Sequence, residues 1–439
     1  MRFWYKIHKW ISFVCAAFFL LLCLTGLPLL FKAEIQQANQ IDPRPMHTMN
    51  ADYGSIWAHL PEGAAAVAQQ YPGKDIKSVS LMHGQMLFRV QDKKDAAPVR
   101  ARMGMGGEQI AYDVQSGTLS NARGGVKSQA VSSFMHTMHR LHMYLGLGRA
   151  GMVFLGFMCL MSFVAVVSGI ILYKPFMKRE SFGEISSRSP AAKWFSWHKF
   201  LGISTGLWAA LMCLSGVMIV VFSLSYGAHI DQSKAESVSH IPHNAQTKSI
   251  SIMQAVDLVQ SRFDDKYIVS VDLPDKANSN QYVFYIADAR PQPADYMGQM
   301  VFVNADENGQ LSFFTRHLPL YLPFTGLMLD LHIHNHGLIA LKSIWALLDI
   351  AAIAMIVSGF AGWYRRYYKK AVNMPPKQLN TCAQPITDAQ IWRMPAAIAA
   401  LSAAAMILPL VSADLSWLSA AAWIAAFILS IAVYIKHRK

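Results

Sequence analysis

The chain has 439 residues, of which 53% are hydrophobic and 15% are charged, and its mean hydropathy is +0.26. A soluble globular protein carries about 25% charged residues, so the composition excludes an ordinary soluble protein and indicates a membrane protein. The formal net charge of +13 would suit nucleic-acid binding only if the basic residues shared one surface, and their distribution along the chain excludes this.

Six runs of mostly apolar residues are long enough to cross a bilayer, which takes about 20 residues per helix. They lie at 10–31, 150–173, 200–222, 338–363, 395–411 and 415–435. The first run is longer than the apolar part of a signal peptide and precedes no small-residue cleavage site, so we interpret it as a retained anchor. The predicted fold class is a mainly α-helical polytopic membrane protein.

The basic residues predict the orientation of these spans, because cytoplasmic loops are enriched in Lys and Arg. The short segments on one side are strongly basic, whereas the long segments 32–138 and 223–331 on the other side hold 18 basic and 21 acidic residues. Both termini are therefore expected in the cytoplasm and both long segments outside. The net charge reflects membrane topology, so lipid is an expected partner and nucleic acid is not.

Each long outer segment has the pattern of a small α+β domain. The first has a predicted helix at 63–71, strands at 76–81, 86–90 and 109–114, and a turn at Ser116-Gly117. The second repeats this order with a helix at 251–263, strands at 267–273, 281–287 and 299–303, and a turn at Asn308-Gly309.

The first four spans are two duplicated pairs of helices, because the sequence repeats with an offset of 190 residues and no gap. The stretch Trp4–Phe31 aligns on 194–221. The equivalent functional candidates are His8 and His198, His142 and His332, Gly26 and Gly216, and Gly169 and Gly359. Each of the four helices thus carries a histidine toward one end and a small residue followed by glycine toward the other.

The duplicated histidines predict two haem sites. Ionisable residues within or beside membrane spans are costly and are usually functional. If equivalent helices face each other, His8 meets His198 on the cytoplasmic side and His142 meets His332 on the outer side. Two neutral imidazoles on opposite sides of one iron suit a b-type haem, and the sequence has no C-x-x-C-H motif for covalent attachment.

The four glycines are expected to lie near the opposite haem from the histidine of the same helix, where a flat macrocycle can approach the backbone. Eighteen residues separate His8 from Gly26, which is about 27 Å at helical rise. Gly169 and Gly359 would therefore line the inner haem, and Gly26 and Gly216 the outer one. The alternative is that these small residues only pack helices together.

One continuous helix from His142 to Tyr173 would span about 46 Å, longer than the hydrocarbon core. Breaks at Gly146, Gly148 and Gly151, and at Gly337 in the second repeat, would fold the outer histidines inward. Otherwise Trp208 and Trp345 are candidates for an electron relay. Asp349, inside the fourth span, indicates either a proton path or a hydrogen bond between helices.

Further histidines lie near the outer haem candidates. His139 is an alternative ligand to His142, although the gapless repeat favours His142. The additional metal candidates are His136, His139, His334 and His336. Histidine and methionine together also suit Cu(I), which makes copper handling the alternative function.

Two of these patterns together indicate a family. The turns Asp113–Leu119 and Asn304–Leu311 are similar to the strand-to-turn ending of PepSY domains. Each such domain is inserted between helices with LH and (S/T)G motifs. Residues 1–370 thus resemble the PepSY-associated transmembrane helix family of bacterial inner-membrane proteins, which includes haem-containing ferric-siderophore reductases. The resemblance implies an oxidoreductase with periplasmic outer domains that reduces a ferric siderophore or other Fe(III) chelate.

The expected organisation is a four-helix haem bundle plus two extra helices and two PepSY-like domains. Its segments are helix 1 (1–31), domain 1 (32–138), helix 2 (139–174), a cytoplasmic loop (175–196), helix 3 (197–222), domain 2 (223–331), helix 4 (332–364), a second loop (365–394) and helices 5 and 6 (395–435). No strand–G-x-G-x-x-G–helix unit occurs, so the electron donor must be external: a flavoprotein, reduced flavin or quinol. A non-enzymatic, partner-binding PepSY protein is the third hypothesis.

Overall fold

The computed structural model forms two compact units, a membrane unit of Met1–Lys32, Met135–Val220 and Met328–Lys439 and a sheet unit of Ala33–Phe134 and Val221–Leu327. The structure describes residues 1–39, 53–82, 85–93, 108–121, 126–178, 180–240, 250–275, 280–288, 299–305, 311–316, 328–329, 331–333, 338–367, 386–411 and 415–438.

The described helices are α1 Arg2–Leu30, α2 Lys32–Ala38, α3 Tyr53–Trp57, α4 Leu60–Gln70, α5 Val126–Tyr144, α6 Gly148–Phe176, α7 Pro190–His240, α8 Ile252–Arg262, α9 Ile339–Tyr367, α10 Asp388–Val411 and α11 Ser416–Arg438. Six of them, α1, α6, α7, α9, α10 and α11, are long and apolar enough to cross a membrane. The prediction of a six-span, mainly helical membrane protein is confirmed.

The second span is interrupted just before it begins. α5 ends at Tyr144 and α6 starts at Gly148, and the backbone turns at Gly146 with a φ of 72°. A Cβ at Gly151 would lie 1.9 Å from the carbonyl oxygen of Tyr144, so only glycine fits this approach. The predicted break is confirmed, and it lets His142 lie beside α1. The break predicted at Gly337 falls outside the described residues.

The helix that contains the third predicted span continues beyond residue 222. This helix, α7, has 51 residues and ends at His240. Residues 223–240 contain no proline, and within the sheet unit their side chains find partners. Ser237 donates a hydrogen bond to Gln281 at 2.8 Å, and Glu236 accepts one from Arg316 at 2.5 Å. These contacts stabilise residues 223–240 as a helix, which the hydropathy of the sequence did not predict.

The strands β1 Lys74–Met82, β2 Gln85–Asp92, β3 Glu108–Asp113, β4 Thr118–Asn121, β5 Lys266–Asp272, β6 Tyr282–Asp288, β7 Gln299–Ala305 and β8 Leu311–Arg316 form one antiparallel sheet in the order β4-β3-β2-β1-β5-β6-β7-β8. β1 pairs with β5 through Ser78 opposite Asp272 and Val79 opposite Val271. The expected two small α+β domains are therefore corrected to a single sheet. Because β1 and β5 pair with each other, neither strand leaves an exposed edge.

The membrane unit has a central apolar cluster to which five of its helices contribute. It includes Cys23 from α1, Trp208 from α7, Trp345 from α9, Met406 from α10 and Trp423 from α11. The last two helices therefore pack onto the helices of the predicted bundle. A second cluster near the other ends of α6 and α7 includes buried side chains of α10 and α11 as well.

Candidate functional site

The inner histidine pair consists of His8 on α1 and His198 on α7, whose ring centroids are 6.2 Å apart. His8 Nδ1 is 2.9 Å from the carbonyl oxygen of Ala165 and 3.1 Å from Ser168 Oγ. His198 Nδ1 is 2.9 Å from the carbonyl oxygen of Met355. Because a carbonyl oxygen only accepts, each Nδ1 carries the proton, and each Nε2 presents its lone pair.

The outer histidine pair consists of His142 and His332, whose ring centroids are 6.1 Å apart. His142 Nδ1 donates to the carbonyl oxygen of Leu22 at 3.1 Å and lies 3.0 Å from Thr25 Oγ1. His332 Nδ1 is 2.9 Å from Ser215 Oγ, whose own proton goes to a carbonyl oxygen of its helix at 2.8 Å. Ser215 therefore accepts from Nδ1, and the outer histidines have the same tautomer as the inner ones.

The small residue before each predicted glycine is visible in the repeat, but its hydroxyl group was not predicted to be a partner of a histidine Nδ1. Four hydroxyl residues each precede one of the predicted glycines: Thr25, Ser168, Ser215 and Ser358. Three of the hydroxyls lie within hydrogen-bond distance of a histidine, and Ser358 donates to the same Met355 carbonyl that accepts from His198. The (S/T)-Gly pairs thus hold the signal for orienting the imidazoles.

Three of the four glycines lie against the histidine ring of the site to which they were assigned, whereas the nearest neighbour of Gly216 is Cys159. A Cβ added there would lie 3.1 Å from His142 Cε1 at Gly26, 3.1 Å from His8 Cε1 at Gly169, 2.8 Å from His198 Nδ1 at Gly359, and 4.0 Å from His332 Cε1 at Gly216. Gly26, Gly169 and Gly359 thus each contact an imidazole ring. The absence of a side chain at these glycines leaves room for the ring to reach its hydrogen-bond acceptor. Packing of the glycines against a macrocycle stays a prediction.

The donor set fits a b-type haem iron. With metal–nitrogen bonds of about 2 Å, one metal ion between two imidazoles holds their ring centroids about 6 Å apart. Both pairs have this separation. Ligating histidines also usually donate their other ring N–H to a backbone or side-chain oxygen, which fixes the tautomer and raises the basicity of the ligand. All four rings are held in this way.

Of the other predicted metal residues, the structure describes His136 and His139, and neither belongs to one of the two pairs. His139 on α5 lies beside Tyr144, with ring centroids 6.1 Å apart, and it is His142 that faces His332. His334 and His336 lie outside the described residues. Within the described part of the chain, no group of three or more His, Cys, Asp or Glu residues could hold a metal ion. The copper alternative, which also uses methionine, stays a prediction.

The inner and outer histidine pairs lie at different levels along the helix axes. His8 and Leu22, the acceptor of His142, are 14 residues apart on α1, which corresponds to about 21 Å. Trp208 lies between the two levels on α7 and contacts Trp345 with ring centroids 6.3 Å apart. Trp345 in turn contacts Trp423, at 5.7 Å.

Six candidate spans and paired histidines near both ends of one helix group define a polytopic membrane protein with two ligand-type histidine sites. The family model for the PepSY-associated TM region matches residues 5–366, and the chain therefore belongs to this family. The comparison with curated proteins found no match.

Proposed function

We propose that the protein is a transmembrane electron conduit that reduces an Fe(III) chelate, of the ferric-siderophore class, at its outer face. Two b-type haems would be held by His8 with His198 and by His142 with His332. The observation that carries the proposal is the arrangement of two histidine pairs, each spaced for one iron and each ring fixed through Nδ1.

Bound at these pairs, a haem supplies a one-electron Fe(III)/Fe(II) couple. The residues of the chain prepare the sites for it. Ala165 and Met355 accept from the inner rings, and Leu22 and Ser215 accept from the outer rings. These bonds hold each Nε2 lone pair free of a proton, and they prevent rotation of the ring.

The direction of electron flow follows from the predicted topology. An external donor, such as a flavoprotein, reduced flavin or quinol, would deliver electrons at the basic, cytoplasmic side near His8. The acceptor would be reduced near His142 and His332 on the outer side. Hard oxygen donors such as those of many siderophores hold Fe(III) more tightly than Fe(II), so reduction would release the iron. This substrate class is supported by the family resemblance.

The proposal is tested with the purified protein in lipid vesicles. The protein is reduced with dithionite, the excess reductant is removed, and a ferric chelate is added under anaerobic conditions. We expect haem absorption bands that return to the oxidised form as Fe(II) appears in a colorimetric trap. A matched redox-inert Ga(III) chelate should leave the bands reduced. Haem bands that do not respond to any Fe(III) chelate would contradict the reductase proposal.

A further inference from the structure

Asp349 is an acidic residue inside the fourth span, and the site proposed above does not use it. It lies on α9 with 9% of its surface exposed. Its Oδ2 is buried and has no hydrogen-bond partner among the described residues. Its one identified side-chain partner is the thiol of Cys23 on α1. An incompletely bonded carboxylate in a membrane interior is costly, so a purely structural role explains this residue poorly.

The surroundings of Asp349 are almost entirely apolar. The titratable group of α1 that interacts with Asp349 is the thiol of Cys23, which in turn interacts with the thiol of Cys213 on α7. α10 and α11 contribute Ala405, Met406 and Trp423 to the adjacent apolar cluster, none of which titrates. On α9 itself, buried Lys342 precedes Asp349 by seven residues, about 10 Å, and has an interaction of its own.

Through Cys23, Asp349 lies next to the backbone that orients His142 of the outer pair. Cys23 directly follows Leu22, the residue whose carbonyl oxygen accepts from His142. On its own helix, Asp349 is six residues, about 9 Å, from Met355, whose carbonyl orients His198. The residue equivalent to Asp349 in the first repeat is Cys159, whose Sγ would lie 3.0 Å from a Cβ at Gly216. In the outer half of the membrane unit, one of these equivalent positions therefore has a carboxyl group and the other a thiol.

We propose that Asp349 is a proton-binding site, which takes up a proton when an electron reaches the outer histidine pair and releases it when the electron leaves. The proposal rests on the proposed function, because it needs a redox group at that pair. The buried carboxylate would thus exchange a proton with the aqueous phase.

The physical reason is charge compensation in a medium of low dielectric constant. A haem with neutral imidazole ligands would have a net charge of +1 at its Fe(III) centre and of zero after reduction, since the porphyrin contributes −2. The positive charge would stabilise the Asp349 carboxylate, and its loss would favour the protonated acid. One electron from the external donor and one proton from solvent would then enter together, and both would leave when the Fe(III) chelate takes the electron.

Spectroelectrochemical titration of the haem-loaded, full-length protein at several pH values tests this directly. We expect the midpoint potential of one haem to fall with rising pH by up to about 59 mV per pH unit, the value for one proton per electron. The potential of the other haem should depend less on pH. A potential independent of pH wherever the protein is folded would overturn the inference and leave the proposed function intact, whereas a protein without haem would overturn both.

Substitutions assign the effect to Asp349. Asp349→Asn should remove the pH dependence, and Asp349→Glu should restore most of it. Asp388→Asn is the control, because Asp388 is an acidic residue of the same unit whose side chain is 62% exposed. The wild-type slope is informative even if the Asn variant does not fold. An unchanged slope in a folded Asp349→Asn protein would overturn the assignment.

Discussion

The inner and outer histidine pairs have the same separation but differ in how they are held. His8 and His198 lie on long helices, and each donates directly to a backbone carbonyl. His142 lies near the end of α5, just before a tight turn, and His332 has Ser215 as its described Nδ1 partner. Both inner histidines thus use backbone carbonyls, whereas in the outer pair His142 uses the carbonyl of Leu22 and His332 uses the hydroxyl of Ser215.

Under the proposed function, this difference would suit separate tasks. The inner pair would receive electrons within the membrane, where rigid ligands keep the geometric change small, and the outer pair would pass them to the acceptor. The following predictions test whether the two sites respond independently, beginning with the largest expected effect.

Loss of an outer ligand should remove one haem and leave the other. We expect His142→Ala to lower the haem content from two per chain to one, because no neighbouring described histidine faces His332. The measurement is a pyridine haemochrome assay against protein concentration. The matched inner variant, His8→Ala, should also retain one haem, but with the spectrum and potential of the outer site. Retention of both haems in either variant would contradict the pairing.

Gly359→Ala should disturb the inner site more than Gly216→Ala disturbs the outer one. The added Cβ would lie 2.8 Å from His198 Nδ1 in the first case, whereas in the second it would lie 3.0 Å from Cys159 Sγ and 4.0 Å from His332 Cε1. The histidine itself is therefore displaced only in the first case. Overpacking of this kind costs about 1–3 kcal/mol. Gly227→Ala is the control, since nothing lies within 4 Å of the added carbon. Equal haem loss in both site variants would count against this geometry.

Ser215→Ala should weaken the outer site more than Ser358→Ala weakens the inner one. Ser215 accepts the Nδ1 proton of His332, whereas Ser358 only bonds the carbonyl that His198 uses. Removing such a partner typically costs about 10- to 100-fold in metal affinity. The rate of haem loss to a haem-scavenging protein measures the effect. Similar rates in the two variants would show that the hydroxyl of Ser215 does not support its ligand.

The smallest effect is expected for His139→Ala, which should leave two haems per chain. His139 lies beside Tyr144 and belongs to neither pair, so its replacement should change stability by only about 0.5 kcal/mol. Haem content and the reduced spectrum check this. Loss of one haem would show that His139, and not His142, is the outer ligand.

Much of the membrane unit was predictable because its signals are local or repeated. Apolar runs gave the six spans, glycines gave the turn before α6, and the 190-residue offset paired the histidines that the structure brings together. The hydrogen-bond partners of the rings were not predicted, because the approach of α6 to His8 depends on how the helices pack. A serine within a span, such as Ser168, does not by itself predict which side chain it will contact.

The sheet unit shows the limit of local patterns more clearly. Six of its eight described strands were predicted from alternation and turns, whereas the short strands β4 and β8 were not. The turn predicted at Asn308-Gly309 lies outside the described residues. The pairing of Val79 with Val271 joins segments almost 200 residues apart in sequence, and each strand pattern is equally compatible with a separate domain. The length of α7 also depends on partners such as Gln281 that only the folded unit supplies.

The central claim is that each histidine pair holds one haem. The most direct measurement is the visible spectrum of the purified protein, before and after dithionite, combined with a haem-to-protein ratio. The account predicts a ratio of two, with sharp bands of six-coordinate b-type haem in the reduced form. A colourless preparation after expression with ample haem would contradict it.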